Sequence, residues 1–252
     1  MVHFGVILPN YGHGSSPDGI RRVAEAAEEL GFDSVWATEH LIVGPEAIDP
    51  YGRVYAPLAT LAWIAGWTER IRLGTSIMLV PLHHPVHLAK ETATLQELSG
   101  GRFHALGVGM GWHRDEFEHM GVPFEGRGRR GDEAIRVVKA LWNGERDFEG
   151  SRWSFHDATA GPQPSPVPEI WVGGSSERAI RRARELGDVW HPSRGSDVDH
   201  VRSVKERHPE LRVVPRTSLE RVDGMLEAGV EGVVVTFADE AAMRDFARRY
   251  LG

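Results

Sequence analysis

Apolar runs rich in β-branched residues alternate along this chain with stretches of 3.6-residue hydrophobic periodicity, from its first residues to its last. The pattern predicts strand His3–Leu8 with helix Pro17–Leu30, closed by Gly31, and strand Ser34–Ala37 with helix Ala56–Gly66. It continues with strand Ile71–Met78 and helix Pro85–Leu98, then strand Phe103–Val108, a long loop from Gly109 to Gly128 and helix Arg130–Trp142. A hairpin ("DFEG", "RWSFHD") and a link bearing Pro162, Pro164, Pro166 and Pro168 come next. The second half pairs strand Glu169–Val172 with helix Glu177–Leu186, Val189–His191 with Val198–Arg207, Leu211–Val214 with Leu219–Ala228, and Gly232–Thr236 with Glu240–Tyr250. Eight strands alternating with eight helices is the count that closes a parallel (β/α)8 barrel. A domain break at the proline-rich link would leave four strands with bare edges, so the link is read as a surface connection and residues 1–252 as a single barrel domain.

Composition narrows the chemistry. A 41% hydrophobic content supplies a core, yet no segment approaches the ~20 apolar residues of a membrane span. A net charge of −7 argues against nucleic acid or an anionic membrane as partner. The absence of cysteine removes disulfides, thiolate catalysis and every Cys-containing metal site. The opening "MVHFGVILPN" lacks the features of a secretory signal and reads as the first strand, so a cytoplasmic location is expected.

In a barrel of this kind the chemistry gathers on the loops that follow the strands. "WVGGSSERAI" sets Gly173, Gly174, Ser175 and Ser176 between a strand and a helix, where free first-turn N–H groups and the helix dipole make an anion site. The plainer reading is a glycine turn with a serine N-cap. "LGVGMGW" ends a buried strand with glycines at alternate positions, which implies that something bulky approaches the backbone, or else that a bulge aims Trp112. "ATEHL" puts Glu39 and His40 just beyond the second strand, where His40 can act as acid, base or simple hydrogen-bonder. His83, His84 and His87 invite a metal reading, but Pro85 breaks the spacing that a helical ligand pair needs, and no metal is expected.

With these elements placed, the sequence resembles the luciferase-like monooxygenase superfamily, and within it the F420-dependent oxidoreductases. The resemblance runs over roughly residues 4–192 through "FGVILPNYG", "AEELGFDSVWATEHL", "IRLGTSIMLVPLHHPVHLAKETATLQELSGGRFHALGVGMGW" and "PEIWVGGSSERAIRRARELGDVWHP". It implies a bacterial luciferase-like TIM barrel with a cofactor across its mouth. The ring would pack at a non-prolyl cis peptide matched here by Ser76-Ile77, with Met110 and Gly111 along the ring or ribityl chain. Gly173, Gly174 and Ser175 would hold the phosphate. His40 matches a position at the reactive edge of the ring, and Trp112 stands where the sugar-phosphate dehydrogenase branch carries a glutamate acid. The implied cofactor is F420, with hydride transfer to or from a small-molecule substrate. FMN, with monooxygenation, is the alternative, and a flavin-binding barrel without turnover is a third reading. A homodimer is open to a barrel of this superfamily, and no patch in the sequence compels one.

Overall fold

A computed structural model describes residues 2–252. Eight parallel strands form the barrel: β1 (His3–Ile7), β2 (Ser34–Ala37), β3 (Arg72–Thr75), β4 (Phe103–Gly109), β5 (Glu169–Gly173), β6 (Val189–His191), β7 (Arg216–Thr217) and β8 (Gly232–Val235). The helices that follow them are α1 (Pro17–Glu29), α2 (Pro57–Ala65), α3 (Pro85–Leu98), α4 (Arg127–Trp142), α5 (Glu177–Leu186), α6 (Val198–Arg207), α7 (Val222–Glu227) and α8 (Glu240–Tyr250). The ladder runs β7-β8-β1-β2-β3-β4-β5-β6, every pair parallel. It closes through a parallel bridge between Trp190 and Val213, with Trp190 N–H donating to the Arg212 carbonyl at 2.9 Å and Val214 N–H to the Trp190 carbonyl at 3.0 Å. Among the described residues no helix is long and apolar enough to cross a membrane.

The strands are short and almost wholly buried because their outward residues meet helices and their inward residues fill the barrel. Trp36 and Trp171, with ring centroids 4.4 Å apart, occupy much of the interior beside Ile7, Ala105, Val189, Val214 and Val234. A Cβ at Gly74 would stand 2.5 Å from the Trp36 ring, so that strand position needs glycine for close approach. The plugged interior leaves its chemistry to the rim, where loops follow the strand ends.

Four expectations are corrected. The third strand does not run unbroken from Ile71 to Met78: the ladder stops at Thr75, Ser76-Ile77 is a cis peptide, and Met78–Leu79 resumes as a separate short strand on β4. The seventh strand divides its partners. Val213 pairs with β6 while Arg216 and Thr217 pair with β8, because Pro215 between them has no N–H to give. The loop from Gly109 to Gly128 contains a helix at Arg114–His119, and α4 starts at Arg127 rather than Arg130. Leu219–Ala228 splits into a 3-10 turn at Leu219–Arg221 and α7. The hairpin forms as expected, Phe148–Glu149 against Ser154–Phe155. The proline-rich link lies along α3, where the Gln96 amide donates to the Pro166 carbonyl at 2.6 Å.

Candidate active site

A cavity of about 470 Å³ opens at the carboxyl ends of the strands. It brings together His40, Ser76, Ile77, Met110, Gly111, Gly173, Gly174 and Ser176 from the sequence reading, and adds Tyr51, Arg127, Arg182 and Arg216.

The floor is the break in strand three, fixed from both sides. Thr38 Oγ1 donates to the Ser76 carbonyl at 3.1 Å, and the buried Glu39 carboxylate accepts the Leu79 N–H at 2.6 Å and His83 Nε2 at 3.0 Å. Burial opposes a charge on His83, but the Glu39 carboxylate outweighs it and holds the imidazole pKa above its ordinary value. His191 secures Ser76 from beneath. Its Nδ1 faces the Val214 carbonyl at 2.5 Å, which can only accept, so the proton sits there and Nε2 accepts from the Ser76 hydroxyl at 2.8 Å. Burial drives the His191 pKa down to about 4, and the ring is neutral at pH 7.

The glycines of strand four prove to serve this floor. A Cβ on Gly107 would overlap the Thr75 carbonyl, one on Gly109 would overlap Ile77 Cδ1, and one on Gly111 would stand 2.6 Å from the Phe117 ring. The bulky group inferred from the sequence is therefore the chain itself. Met110 lies between them against Gly131 of α4.

His40 stands at one edge, its side chain 6% exposed. Its Nδ1 lies 2.9 Å from Glu116 Oε2, and the other carboxylate oxygen accepts the Leu41 N–H at 2.7 Å. Glu116 is fully buried on the short helix Arg114–His119. Because a carboxylate only accepts, the pair places the proton on Nδ1 and leaves Nε2 free. The Tyr51 ring packs on the imidazole at a centroid distance of 4.1 Å, and Trp112 meets it edge-on at 6.0 Å.

The opposite edge suits an anion. Gly174 takes a φ of 103°, and α5 begins immediately after, its Ser176 hydroxyl accepting from Ala179 N–H at 3.3 Å. The remaining first-turn N–H groups of such a helix have no intrahelical partner. Arg127 donates to the Gly111 carbonyl at 3.0 Å with its guanidinium 3.6 Å over the Phe124 ring, and Arg182 pairs with Asp132. Ser175 is the exception among the predicted residues: its hydroxyl turns to Ser193 at 3.0 Å and to Ser196, while Ser176 lines the cavity. This set fits a ligand with a flat ring, a linking chain and a phosphate, since floor and anion cradle belong to one cavity of the size that small ligands fill.

Sequence reasoning missed Glu116, Arg182, Arg216 and His191, and of Arg127 it offers only that the basic stretch "RGRR" from Arg127 to Arg130 could face an anion. Glu116 and Arg127 fell in a stretch read as loop, and Arg216 just beyond a strand read as ending at Val214.

The family model described as luciferase-like monooxygenase matches residues 1–251. An F420-dependent glucose-6-phosphate dehydrogenase of Kineococcus radiotolerans is 37% identical over 194 residues, 73% of this chain and 55% of that protein. An FMNH(2)-dependent dimethylsulfone monooxygenase of Pseudomonas putida is 32% identical over 189 residues, 73% of this chain and 50% of that one. The chain thus spans about half the length of these curated relatives. Among solved structures, an F420-dependent secondary alcohol dehydrogenase in complex with an F420-acetone adduct shares the fold with a TM-score of 0.83 at 15% identity, covering 98% of this chain and 97% of that one.

Proposed function

The chain belongs to the luciferase-like monooxygenase family, and on that premise we propose that it is an F420-dependent oxidoreductase, moving a hydride between the deazaflavin and a small organic substrate. The observation that carries the reading is one cavity with a fixed floor at Ser76 and Ile77, an anion cradle at Gly173, Gly174 and the start of α5, and His40 at the far rim. When bound, the cofactor supplies the redox step. Backbone N–H groups from Gly173 to Ser175 and the first turn of α5 would hold its phosphate, with Arg127 and Arg182 beside them. Ile77, the Ser76 peptide, Met110 and Gly111 would hold the ring.

His40 gives or takes the proton that accompanies hydride transfer, through Nε2. Glu116 keeps the opposite nitrogen protonated and the ring in place. Tyr51 covers the imidazole face and restricts water there. F420 is favoured by the relative of highest identity among those described, and FMN by the dimethylsulfone monooxygenase, for which the same cavity would serve. Parallel titrations with F420 and FMN, followed by cofactor fluorescence, decide between them. We expect F420 to bind at least tenfold more tightly; tighter FMN binding would move the reaction to monooxygenation, and binding of neither would remove the redox reading.

A further inference from the structure

Arg216 opens β7 and lines the cavity, and its bonding is incomplete in an informative way. Nη1 donates to Thr38 Oγ1 at 3.2 Å and to the Ser76 carbonyl at 3.3 Å, and Nη2 donates to the Tyr11 hydroxyl at 2.6 Å. All three acceptors are neutral. Nε–H is shut off from solvent with no acceptor, and among the described residues no carboxylate is in ion-pair contact with this side chain. A guanidinium remains charged throughout the pH range of a folded protein, so withdrawing it from water without a counter-charge is costly.

The other cations of the cavity are differently placed. Arg182 has Asp132, and Arg127 lies against Phe124 with its Nε on the Gly111 carbonyl, both at the anion cradle after β5. Arg216 is carried by β7, with β6 intervening in the barrel. Its guanidinium is bonded to Thr38, the Ser76 carbonyl and Tyr11, which follow β2, β3 and β1, and to none of the residues of the cradle after β5. A cofactor phosphate seated at α5 is met by the cradle's own N–H groups and cations and leaves Arg216 to another partner.

We infer that Arg216 recognises an oxyanion, carboxylate or phosphate, carried by the substrate. The inference rests on the reading that the cofactor phosphate occupies the start of α5. Tyr11, Thr38 and the Ser76 carbonyl hold the guanidinium plane, so that its remaining Nη2 hydrogen and its charge are presented to the cavity in a fixed direction.

The test is calorimetric titration of wild type, Arg216→Gln and Arg216→Lys with inorganic phosphate and, separately, succinate. Each is done with and without saturating F420, with cofactor affinity and Tm measured alongside. In the F420-saturated protein, Arg216→Gln should weaken binding of at least one of the two anions at least tenfold, while Arg216→Lys stays within about threefold and all three proteins bind F420 alike. The anion that loses more identifies carboxylate or phosphate. Unchanged binding of both anions in Arg216→Gln would overturn the inference. So would a parallel loss of F420 affinity, which would assign the cation to the cofactor, or equal losses in both variants with a lowered Tm, which would make the side chain a structural clamp. Should wild type bind neither F420 nor FMN, the redox reading fails by itself. The cofactor-free titration then still decides, because loss of Arg216 should remove one of two phosphate equivalents and leave the one at α5.

Discussion

His40 is held by a single buried carboxylate that also takes the next residue's N–H, so ring, tautomer and loop are fixed by one side chain. Removing the imidazole and removing its support should give different signatures. His40→Ala should lower turnover at least tenfold with little change in cofactor affinity, since general acid-base groups contribute about 10² to 10⁴ in rate. Glu116→Gln keeps the shape but can turn its amide N–H toward Nδ1, so the hold on ring orientation and tautomer is loosened; kcat should fall while cofactor affinity changes little. Loss of cofactor affinity and Tm together in His40→Ala, with kcat unaltered in what folds, would reduce His40 to a brace. His83 carries a separate prediction. Its raised pKa means that the folded state holds the proton more tightly than the unfolded chain, so the Glu39 pair stabilises fully below about pH 6.5 and is lost as pH climbs through the higher folded value. Wild-type Tm should therefore decline on the alkaline side of 6.5 by a step that is missing in His83→Gln.

At the scale of elements, the sequence shows where a site can form more clearly than what builds it. Strand-helix alternation located seven of the eight barrel strands, and for the seventh only the stretch around Val213 that bridges to β6, because the periods of 2 and 3.6 survive in short segments. Partner choice across the barrel is not written in those periods. The glycine run ending in Gly109 announced a close approach, but only the fold shows that Ile77 of the neighbouring strand makes it. Glu116 and Arg216 were invisible for a related reason: each sits in a short element set by tertiary contacts, and their partners are 76 and 178 residues away in sequence. The turn before α5 yields a prediction for Gly174→Val. A φ of 103° is unfavourable to any side chain, and a Cβ there would meet that of Ala179 at 3.3 Å. The variant should lose at least tenfold in cofactor affinity and also melt lower without cofactor, by the few degrees that about 1 kcal/mol represents. Unchanged affinity would take the phosphate away from this loop.

The molecule as a whole stacks neutral histidines along the barrel interior. His3, His104 and His191 pack against Trp36 and Trp171, at centroid distances between 5.2 and 6.2 Å. Burial is the main cause that lowers all three pKa values, to about 4 for His3 and His191 and well below the ordinary value for His104, which the neighbouring His3 depresses further. His191 is buried, so charging it would put a cation in the packed interior, whereas His3 and His104 are half-buried and line a pocket they share with Arg72 and Arg212; among the described residues no carboxylate is hydrogen-bonded to His104 or His191. In the unfolded chain the same imidazoles titrate near 6.5, so unfolding takes up protons between that value and about 4, and stability drains as pH falls through the window. Each group contributes roughly 1.4 kcal/mol per pH unit once well below 6.5, while the surface carboxylates still keep most of their charge at pH 5. The urea midpoint should consequently drop clearly from pH 7 to pH 5. In His104→Leu, which exchanges the imidazole with the unpartnered Nε2 for an apolar side chain, that drop should shrink by roughly a third. Equal midpoints at pH 7 and pH 5 in the wild type would show that the fold does not hold these histidines neutral.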